Sequence, residues 1–387
     1  MPFGRRADND NVADAPAPNK SRLDSLLAYA VHRGASDIHL KVPSRPALRI
    51  DGVLEPVADH PPLRPPDMEG FADDLFERVP DKRHEYNEVG EADLSYACRG
   101  VGRFRVNVFR QRGSTSIVAR IVPFEVPSLD DLGLPPVVAK LAGEERGIIL
   151  VTGTTGSGKS TTLAAMIDQV NRTQHKHVVT IEDPIEILHT DRLSLINQRE
   201  VGLDTDSFHS ALRRVLRQDP DVIMIGEIRD EITMETALNA AETGHLVLST
   251  MHTLDATETV NRAIGFFPLH QQAQVRTMLA STLRGVISQR LVRRADGAGR
   301  VAAVEALVMT GRARDFITNP EETGRLQEVL REGDFYGMQT FDQSLFGHVT
   351  SGRVTLDDAL AAAASPHDFR LMLESGAARR EVANHSA

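Results

Sequence analysis

The spacing of apolar positions changes once along the chain. Residues 1–20 are rich in Asp, Asn, Ala and Pro and show no period, so we expect a disordered tail there. A helix is expected from Ser21, because apolar residues at positions 23, 26, 27, 30 and 31 share one helical face. The segments 38–42, 92–97, 102–110 and 116–121 instead alternate apolar with polar residues, as half-buried strands do. We therefore predict a small N-terminal sheet domain over residues 21–122.

Two further elements are predicted inside this domain. Asp51-Gly52 lies between two short apolar runs in residues 48–54, and Asp-Gly suits the positive φ angles of a tight hairpin turn. A helix is expected over residues 67–79, after the prolines at 61–62 and 65–66.

The second half of the chain follows a different pattern. Prolines between residues 123 and 136 indicate a linker, and continuous apolar runs then occur at 148–151, 178–181, 222–225 and 246–248. Helical patterns lie between these runs, including one over 161–170, which is typical of a mainly parallel sheet. From about residue 268 the pattern is mostly helical, with Ser365-Pro366 as the start of the last helix. We predict a second α/β domain over residues 137–387 with a helical C-terminal part.

Composition narrows the functional classes. The chain has 387 residues, 41% of them hydrophobic, and a net charge of −10, which disfavours a non-specific nucleic-acid binder. Its one cysteine, Cys98, can form neither an internal disulfide nor a zinc site built from several cysteines, and a reducing cytoplasm is the natural compartment. No stretch reaches the roughly 18–20 apolar residues that span a bilayer. A soluble enzyme, a binding module or a mechanical protein remains.

The strongest chemical signal is a glycine-rich loop after the first apolar run. Residues 153–160 fit the phosphate-loop pattern G-x-x-x-x-G-K-[ST], and a strand before them and a helix after them are both expected. Glycines let backbone N–H groups approach phosphate oxygens, and the positive end of the helix dipole adds to this attraction. Lys159 would reach the β- and γ-phosphates, and the Ser160 hydroxyl would bind Mg²⁺. The predicted nucleotide-binding residues are Gly153, Thr154, Thr155, Gly156, Ser157, Gly158, Lys159, Ser160 and Thr161.

Acids and histidines stand at the ends of the later strands. Glu182, Asp183 and Glu186 follow one strand, and Glu227 follows another; in P-loop NTPases such acids hold the Mg²⁺ shell or orient the attacking water. Spacing alone leaves open which acid has which role and whether one set only caps a helix. Histidines at 245 and 252 flank the run 246–248, and a metal site built from them with the histidines at 175 and 177 is an alternative.

Several segments together resemble a known family. They are residues 153–161, 181–186, 219–230 and 243–253 in the second half, and 35–40, 102–107 and 337–342 elsewhere. The set resembles the type II/type IV secretion ATPase superfamily and, within it, the PilT/PilU-type ATPases that power retraction of type IV pili. The resemblance covers about residues 21–375. It implies an α/β fold in which a RecA-like P-loop NTPase domain follows a smaller N-terminal α/β domain of PAS-like type.

The resemblance also implies roles for single residues. Glu227 matches the glutamate that acts on Mg²⁺ and its waters, and Glu186 matches the glutamate that activates the attacking water. His245 matches a histidine that senses the γ-phosphate, and His252 is a second position of the same motif. Arg105 and Arg120, from the N-terminal domain, match arginines that reach the triphosphate; the alternative for strand arginines here is a solvated face. The implied ligands are ATP and Mg²⁺, the latter held by Ser160 and, partly through water, by Glu227.

The implied function is a hexameric motor ATPase for pilus retraction and twitching motility. Its implied partners are further copies of the chain, a pilus platform protein of the inner membrane, and a paralogous retraction ATPase if the chain acts as a PilU-like accessory motor. The expected location is the cytoplasm, peripheral to the inner membrane, with no transmembrane segment and no direct nucleic-acid contact. The alternatives are a type II secretion or pilus extension ATPase, a nucleotide-binding assembly regulator and a nucleic-acid translocase. Relatives of the extension type usually carry a four-cysteine zinc insertion, which a chain with Cys98 alone lacks.

Overall fold

The computed structural model describes residues 22–50, 52–123 and 125–385, with side chains up to residue 375. The chain divides into two compact units, the first ending at Val122 and the second beginning at Pro123. The expected tail over 1–20 and the expected helix start at Ser21 lie outside the described residues.

The first unit contains a six-stranded antiparallel sheet with the strand order β3-β2-β1-β6-β5-β4. Its strands are β1 (Asp37–Lys41), β2 (Ala47–Ile50), β3 (Val53–Pro56), β4 (Glu91–Cys98), β5 (Gly102–Gln111) and β6 (Ser114–Val122). The predicted hairpin is confirmed, since Ile50 pairs with Val53 and Gly52 has a φ of 83°. Asp51 of this turn is outside the described residues.

Three helices belong to the first unit: α1 (Arg22–His32), α2 (Pro65–Phe76) and α3 (Pro80–Val89). The apolar faces of α1 and α2 form one core with the inward residues of the sheet. Leu23 of α1, Phe71 of α2 and Phe104 of β5 belong to this core. The helix predicted over 67–79 is α2, which begins two residues earlier and ends three residues sooner, at Phe76. The chain does not continue as one helix into α3, because the proline at position 80 disfavours helical angles at Val79, whose φ is −135°. Helix α3 has no apolar period, and Tyr86 is its one buried residue.

The second unit is built on a seven-stranded sheet with the order β13-β12-β7-β11-β10-β8-β9. The strands are β7 (Gly147–Thr152), β8 (His177–Glu182), β9 (Leu195–Glu200), β10 (Val222–Ile225), β11 (Leu246–Met251), β12 (Leu283–Arg293) and β13 (Arg300–Val308). All neighbours pair in parallel except β12 and β13. The four predicted apolar runs are confirmed as the central strands β7, β8, β10 and β11. The edge strand β9 was missed because its side chains are mostly exposed or half-buried.

Helices cover both faces of this sheet and form two large apolar cores with it, and the last three helices form a smaller third core with β12 and β13. They are α4 (Val137–Ala142), α5 (Lys159–Thr173), α6 (Phe208–Val215), α7 (Glu231–Glu242), α8 (Ala256–Gly265), α9 (Gln272–Thr282), α10 (Gly311–Thr318), α11 (Leu326–Glu332), α12 (Phe341–Thr350), α13 (Leu356–Ala362) and α14 (Pro366–His385). The expected start of the last helix is confirmed, since the Asp368 N–H donates to Ser365 Oγ at 3.3 Å.

The expectation of a helical segment after residue 268 is wrong where β12 and β13 lie. Apolar residues at 283, 286, 287 and 291 have helical spacing, and residues 300–308 are rich in alanine, which favours helix. Both segments nevertheless pair as strands, because β12 continues the parallel sheet beside β7 and β13 pairs with β12 over nine positions. Their burial on both sides of the sheet removes the alternation that identifies an exposed strand.

Candidate functional site

The phosphate loop connects the carboxyl end of β7 to the amino end of α5. Gly153 has a φ of 140°, and a Cβ on it would lie 2.5 Å from both the Gln289 carbonyl oxygen and Ser157 Oγ. Gly158 precedes the helix with a φ of 94°. Both positions therefore require glycine, and this keeps the loop wrapped closely around the first turn of α5.

Lys159 points back into this loop. Its Nζ donates to the carbonyl oxygens of Gly153 and Thr154, each at 2.9 Å. Burial lowers the pKa of Lys159 below its ordinary value, although the carboxylates of Glu227 and Glu186 act in the opposite direction. The ammonium group thus stands where an anion held by the loop would meet it.

A cavity of about 180 Å³ opens beside the loop, at the carboxyl ends of the parallel strands. This is the edge at which open α/β sheets bind ligands. Five predicted site residues from four segments line it: Lys159, Ser160, Glu186, Glu227 and His252. The sequence motifs, far apart along the chain, therefore meet in one place.

The acid after β10 is held by two basic neighbours. Glu227 Oε1 lies 2.6 Å from an Arg229 guanidinium nitrogen, and its Oε2 lies 3.4 Å from His252 Nε2. Oε2 is buried, and the described residues give it no hydrogen bond despite the nearby imidazole. Its lone pairs remain available for a cation or for water in the cavity.

The three acids at the carboxyl end of β8 have different surroundings. Glu182 is buried and accepts from Thr180 Oγ1 at 2.6 Å and Gln198 Nε2 at 3.1 Å. Burial raises the pKa of Glu182, and these hydrogen bonds act against that rise. Glu186 has an exposed side chain at the rim of the cavity, where Asp183 also lies. Glu182 is thereby engaged within the protein, whereas Glu186 is accessible to water.

The two predicted histidines lie at opposite ends of β11. His252 follows the strand and reaches the cavity. His245 precedes it: its carbonyl accepts from the Gly147 N–H, and its Nδ1 contacts Ala240 O at 3.0 Å and Thr243 Oγ1 at 3.2 Å. Gly153 follows Gly147 by six positions along β7, roughly 20 Å of extended chain. The expectation that His245 senses the γ-phosphate is therefore wrong within one subunit, because parallel strands place their starts and ends on opposite edges.

A histidine metal site is not formed. His177, one of its members, faces Asp219 O at 3.0 Å and Asn197 Nδ2 at 2.8 Å. Within the described residues no three His, Cys, Asp or Glu side chains converge on one point. The oxygen donors at the cavity, the Ser160 hydroxyl and the Glu227 carboxylate, are of the type that Mg²⁺ prefers when water and phosphate complete its shell.

The two predicted arginines lie side by side in the first unit. Arg105 on β5 is directly opposite Arg120 on β6, and Arg120 is opposite Asp37 on β1. Arg120 Nε donates to Asp37 Oδ1 at 2.8 Å. Burial pushes the pKa of Asp37 upward, but hydrogen bonds from Ser36 and Arg120 outweigh it and leave this pKa below its ordinary value. The Asp37 carboxylate thus fixes one end of the arginine pair, and the Arg120 side chain stays 69% exposed.

Sequence reasoning gave no role to several residues that line the cavity, among them His189 and Phe208. His189 follows Glu186 by three positions, and burial lowers its pKa to about 4, so its ring is neutral at physiological pH. Phe208 begins α6 and supplies an apolar wall. The signal for His189 was its nearness to Glu186 in sequence; Phe208 had none.

Comparisons with known proteins agree with this geometry. The family model described as type II/IV secretion system protein matches residues 12–333. The type IV pilus retraction ATPase PilT of Pseudomonas aeruginosa is 42% identical over 90% of this chain and 99% of its own length. The type IV pilus ATPase PilU of the same organism is 41% identical over 92% of each chain.

A solved structure agrees as well. The crystal structure of the pilus retraction motor PilT with bound ADP superposes with a TM-score of 0.79 at 47% identity, over 89% of this chain and 98% of that one. The predicted fold class, a RecA-like P-loop domain preceded by a smaller N-terminal domain, is confirmed. None of the helices in the described part of the chain is both long and apolar enough to cross a membrane. The chain belongs to the type II/type IV secretion ATPase family and, within it, to the PilT/PilU ATPases.

Proposed function

We propose that this ATPase is a motor that couples ATP hydrolysis to retraction of type IV pili and thereby to twitching motility. The main observation in favour of ATP hydrolysis is that one cavity beside the phosphate loop is lined by Lys159, Ser160, Glu186, Glu227 and His252. The near full-length similarity to PilT and PilU supports pilus retraction over pilus extension or type II secretion as the process that ATP hydrolysis drives. Whether the chain retracts pili alone or assists a paralogous ATPase, the chemistry at this cavity is the same.

ATP binds through its phosphates in this proposal. The backbone of residues 153–158 and the amino end of α5 face the β-phosphate, and Lys159 leaves its carbonyl partners to bind the β- and γ-phosphates. Ser160 and Glu227 would hold Mg²⁺, Glu227 partly through water; the unbonded Oε2 of Glu227 supports this assignment. Bound there, the cation would neutralise charge on the phosphate oxygens.

Hydrolysis then depends on placing one water. Glu186, exposed at the cavity rim, accepts a proton from the attacking water. His252 lines the cavity 3.4 Å from Glu227, and we assign it the sensing role that the family resemblance suggested for His245. Arg105 and Arg120 supply positive charge to the transferred phosphoryl group; their side-by-side placement supports a joint action.

The larger assembly is part of the same proposal. The chain acts as a homo-hexameric ring in the cytoplasm, bound at the inner membrane to a pilus platform protein and without direct nucleic-acid contact. The net charge of −10 supports the last point.

Steady-state ATP turnover by the purified chain tests the site. Lys159→Ala should abolish turnover and leave the far-UV circular dichroism spectrum unchanged. Glu186→Gln should bind ATP with a Kd within about threefold of wild type and lower kcat by at least about a hundredfold, because a general base is lost. Nucleotide binding without turnover in the wild-type chain would favour the assembly regulator instead.

A further inference from the structure

A row of buried polar side chains crosses the sheet just beneath the phosphate loop. Thr152 on β7 is level with Ser288 on β12, and Ser288 is level with Glu305 on β13. The Thr152 hydroxyl donates to Ser288 Oγ at 2.9 Å. Met251 on β11 is level with Thr152 on the other side. The row therefore lies one residue before both Gly153 and His252, the first residues beyond their strands.

Glu305 is the charged member of this row. It is 3% exposed, and its Oε1 accepts from the Ala256 N–H at 2.9 Å. A second hydrogen bond comes from the Gln327 side chain on α11. Ala256 is the first residue of α8, so the carboxylate lies at the positive end of that helix dipole. None of the roles assigned to the phosphate loop, the acids or the histidines accounts for a carboxyl group buried at this point.

The segment between His252 and Ala256, whose end Glu305 binds, is short and has hydrogen bonds to the first turn of α8. Four positions separate His252 from Ala256. The Leu254 N–H donates to Glu258 Oε2 at 2.8 Å, and the hydroxyls of Thr253 and Thr259 lie 2.7 Å apart in the interior. A shift of the amino end of α8 would therefore carry His252 with it, and His252 is one of the two basic residues that contact Glu227.

We propose that Glu305 is a positioning residue for ATP hydrolysis, which fixes the amino end of α8 and thereby sets His252 against Glu227. The inference rests on the proposed role of the cavity in ATP turnover and extends it to a residue outside the cavity. Because the phosphates are bound by Lys159 and the loop backbone, loss of Glu305 affects the hydrolytic step more than ATP binding. The contact with Gln327 on α11 fixes the Glu305 carboxylate in the position from which it binds the Ala256 N–H.

The charges around Glu305 make this contact depend on pH. Burial raises the pKa of Glu305 to about 7, Asp255 at the start of α8 acts in the same direction, and Arg290 on β12 and Gln327 on α11 act against it. The ionised carboxylate accepts the Ala256 N–H more strongly than the protonated one, because a charged acceptor makes the stronger hydrogen bond. Positioning is therefore strongest above neutral pH.

Steady-state ATP turnover across pH 6 to 8.5 tests the proposal, with Glu305→Leu, Glu305→Gln and the control Glu328→Gln. Glu328 is also on α11, but its carboxylate pairs with Arg312 and Arg325 at the surface. At pH 8 the leucine variant should lose about tenfold to a hundredfold in kcat, with KM for ATP within about twofold of wild type. The glutamine variant should lose severalfold and lack the rise in kcat through pH 7 that wild type shows, and Glu328→Gln should match wild type.

Three results would overturn it. They are unchanged kcat in the glutamine variant, an increase in KM with kcat intact, or a wild-type pH profile that the glutamine variant reproduces. The conservative glutamine variant keeps the test valid if the leucine variant fails to fold. Absence of turnover in wild type would contradict the proposed function itself, so the two failures are distinguishable.

Discussion

The free energy of unfolding of Glu305→Gln, relative to that of wild type, should increase as the pH rises. Burial raises the pKa of this carboxyl from 4.5 to about 7 in the folded chain. Below pH 4.5 the group is protonated whether the chain is folded or unfolded. Between pH 4.5 and 7 the folded chain holds the extra proton, so wild-type stability falls as the pH rises, and above pH 7 the loss is complete. At about 1.4 kcal/mol per pKa unit, the full loss is about 3 kcal/mol.

Glutamine has no titrating group, so the stability of the Glu305→Gln variant does not include this pH-dependent loss. The difference in free energy of unfolding between Glu305→Gln and wild type should therefore grow by about 2 kcal/mol from pH 5.5 to pH 8. Urea unfolding followed by far-UV circular dichroism measures it, since the chain has no tryptophan for fluorescence. Glu328→Gln is the control: the Arg325 hydrogen bond lowers the pKa of Glu328, so that group stays ionised throughout this range and its difference should stay constant. A difference for Glu305→Gln that is independent of pH would refute the reasoning.

Three further outcomes follow from the site. His252→Ala should lower kcat at least about tenfold, whereas His245→Ala, altered at the far edge of the sheet, should stay within about twofold; equal losses would contradict the placement. Gly153→Ala should abolish nucleotide binding and destabilise the chain by about 1–3 kcal/mol more than Gly244→Ala, which has a φ of 109° but open space around it, as urea unfolding will show. Arg105→Gln should lower kcat by at least about tenfold at saturating ATP, and an unchanged kcat would leave that arginine as part of a solvated face.

The parts of the fold that sequence predicted well are those whose signals are local. The phosphate loop depends on glycines within eight residues, and the strand 148–151 is apolar throughout because both of its faces are covered. The hairpin at Gly52 follows from one backbone angle. In each case the residues that determine the element also form it.

The errors arose where distant partners decide the structure. Strands β12 and β13 have helical spacing and alanine-rich composition, and the parallel edge offered by β7 overrides both. His245 was assigned to the site by the family resemblance, yet only the carboxyl end of a parallel strand faces the ligand. The sequence pattern already predicted parallel strands. Their common direction places His245 at the start and His252 at the end of the same strand, and so on opposite edges of the sheet. The contact between Glu305 and Ala256 joins residues 49 positions apart and had no signal in the sequence.

Deletion of this chain in its native host, followed by counting of surface pili, tests the central claim most directly. We expect excess pili and lost twitching motility, and we expect the wild-type chain, but neither Lys159→Ala nor Glu186→Gln, to reverse both defects. Loss of surface pili on deletion would contradict it and indicate pilus extension. Restoration of twitching by Lys159→Ala would show that the motion does not depend on ATP bound at this site.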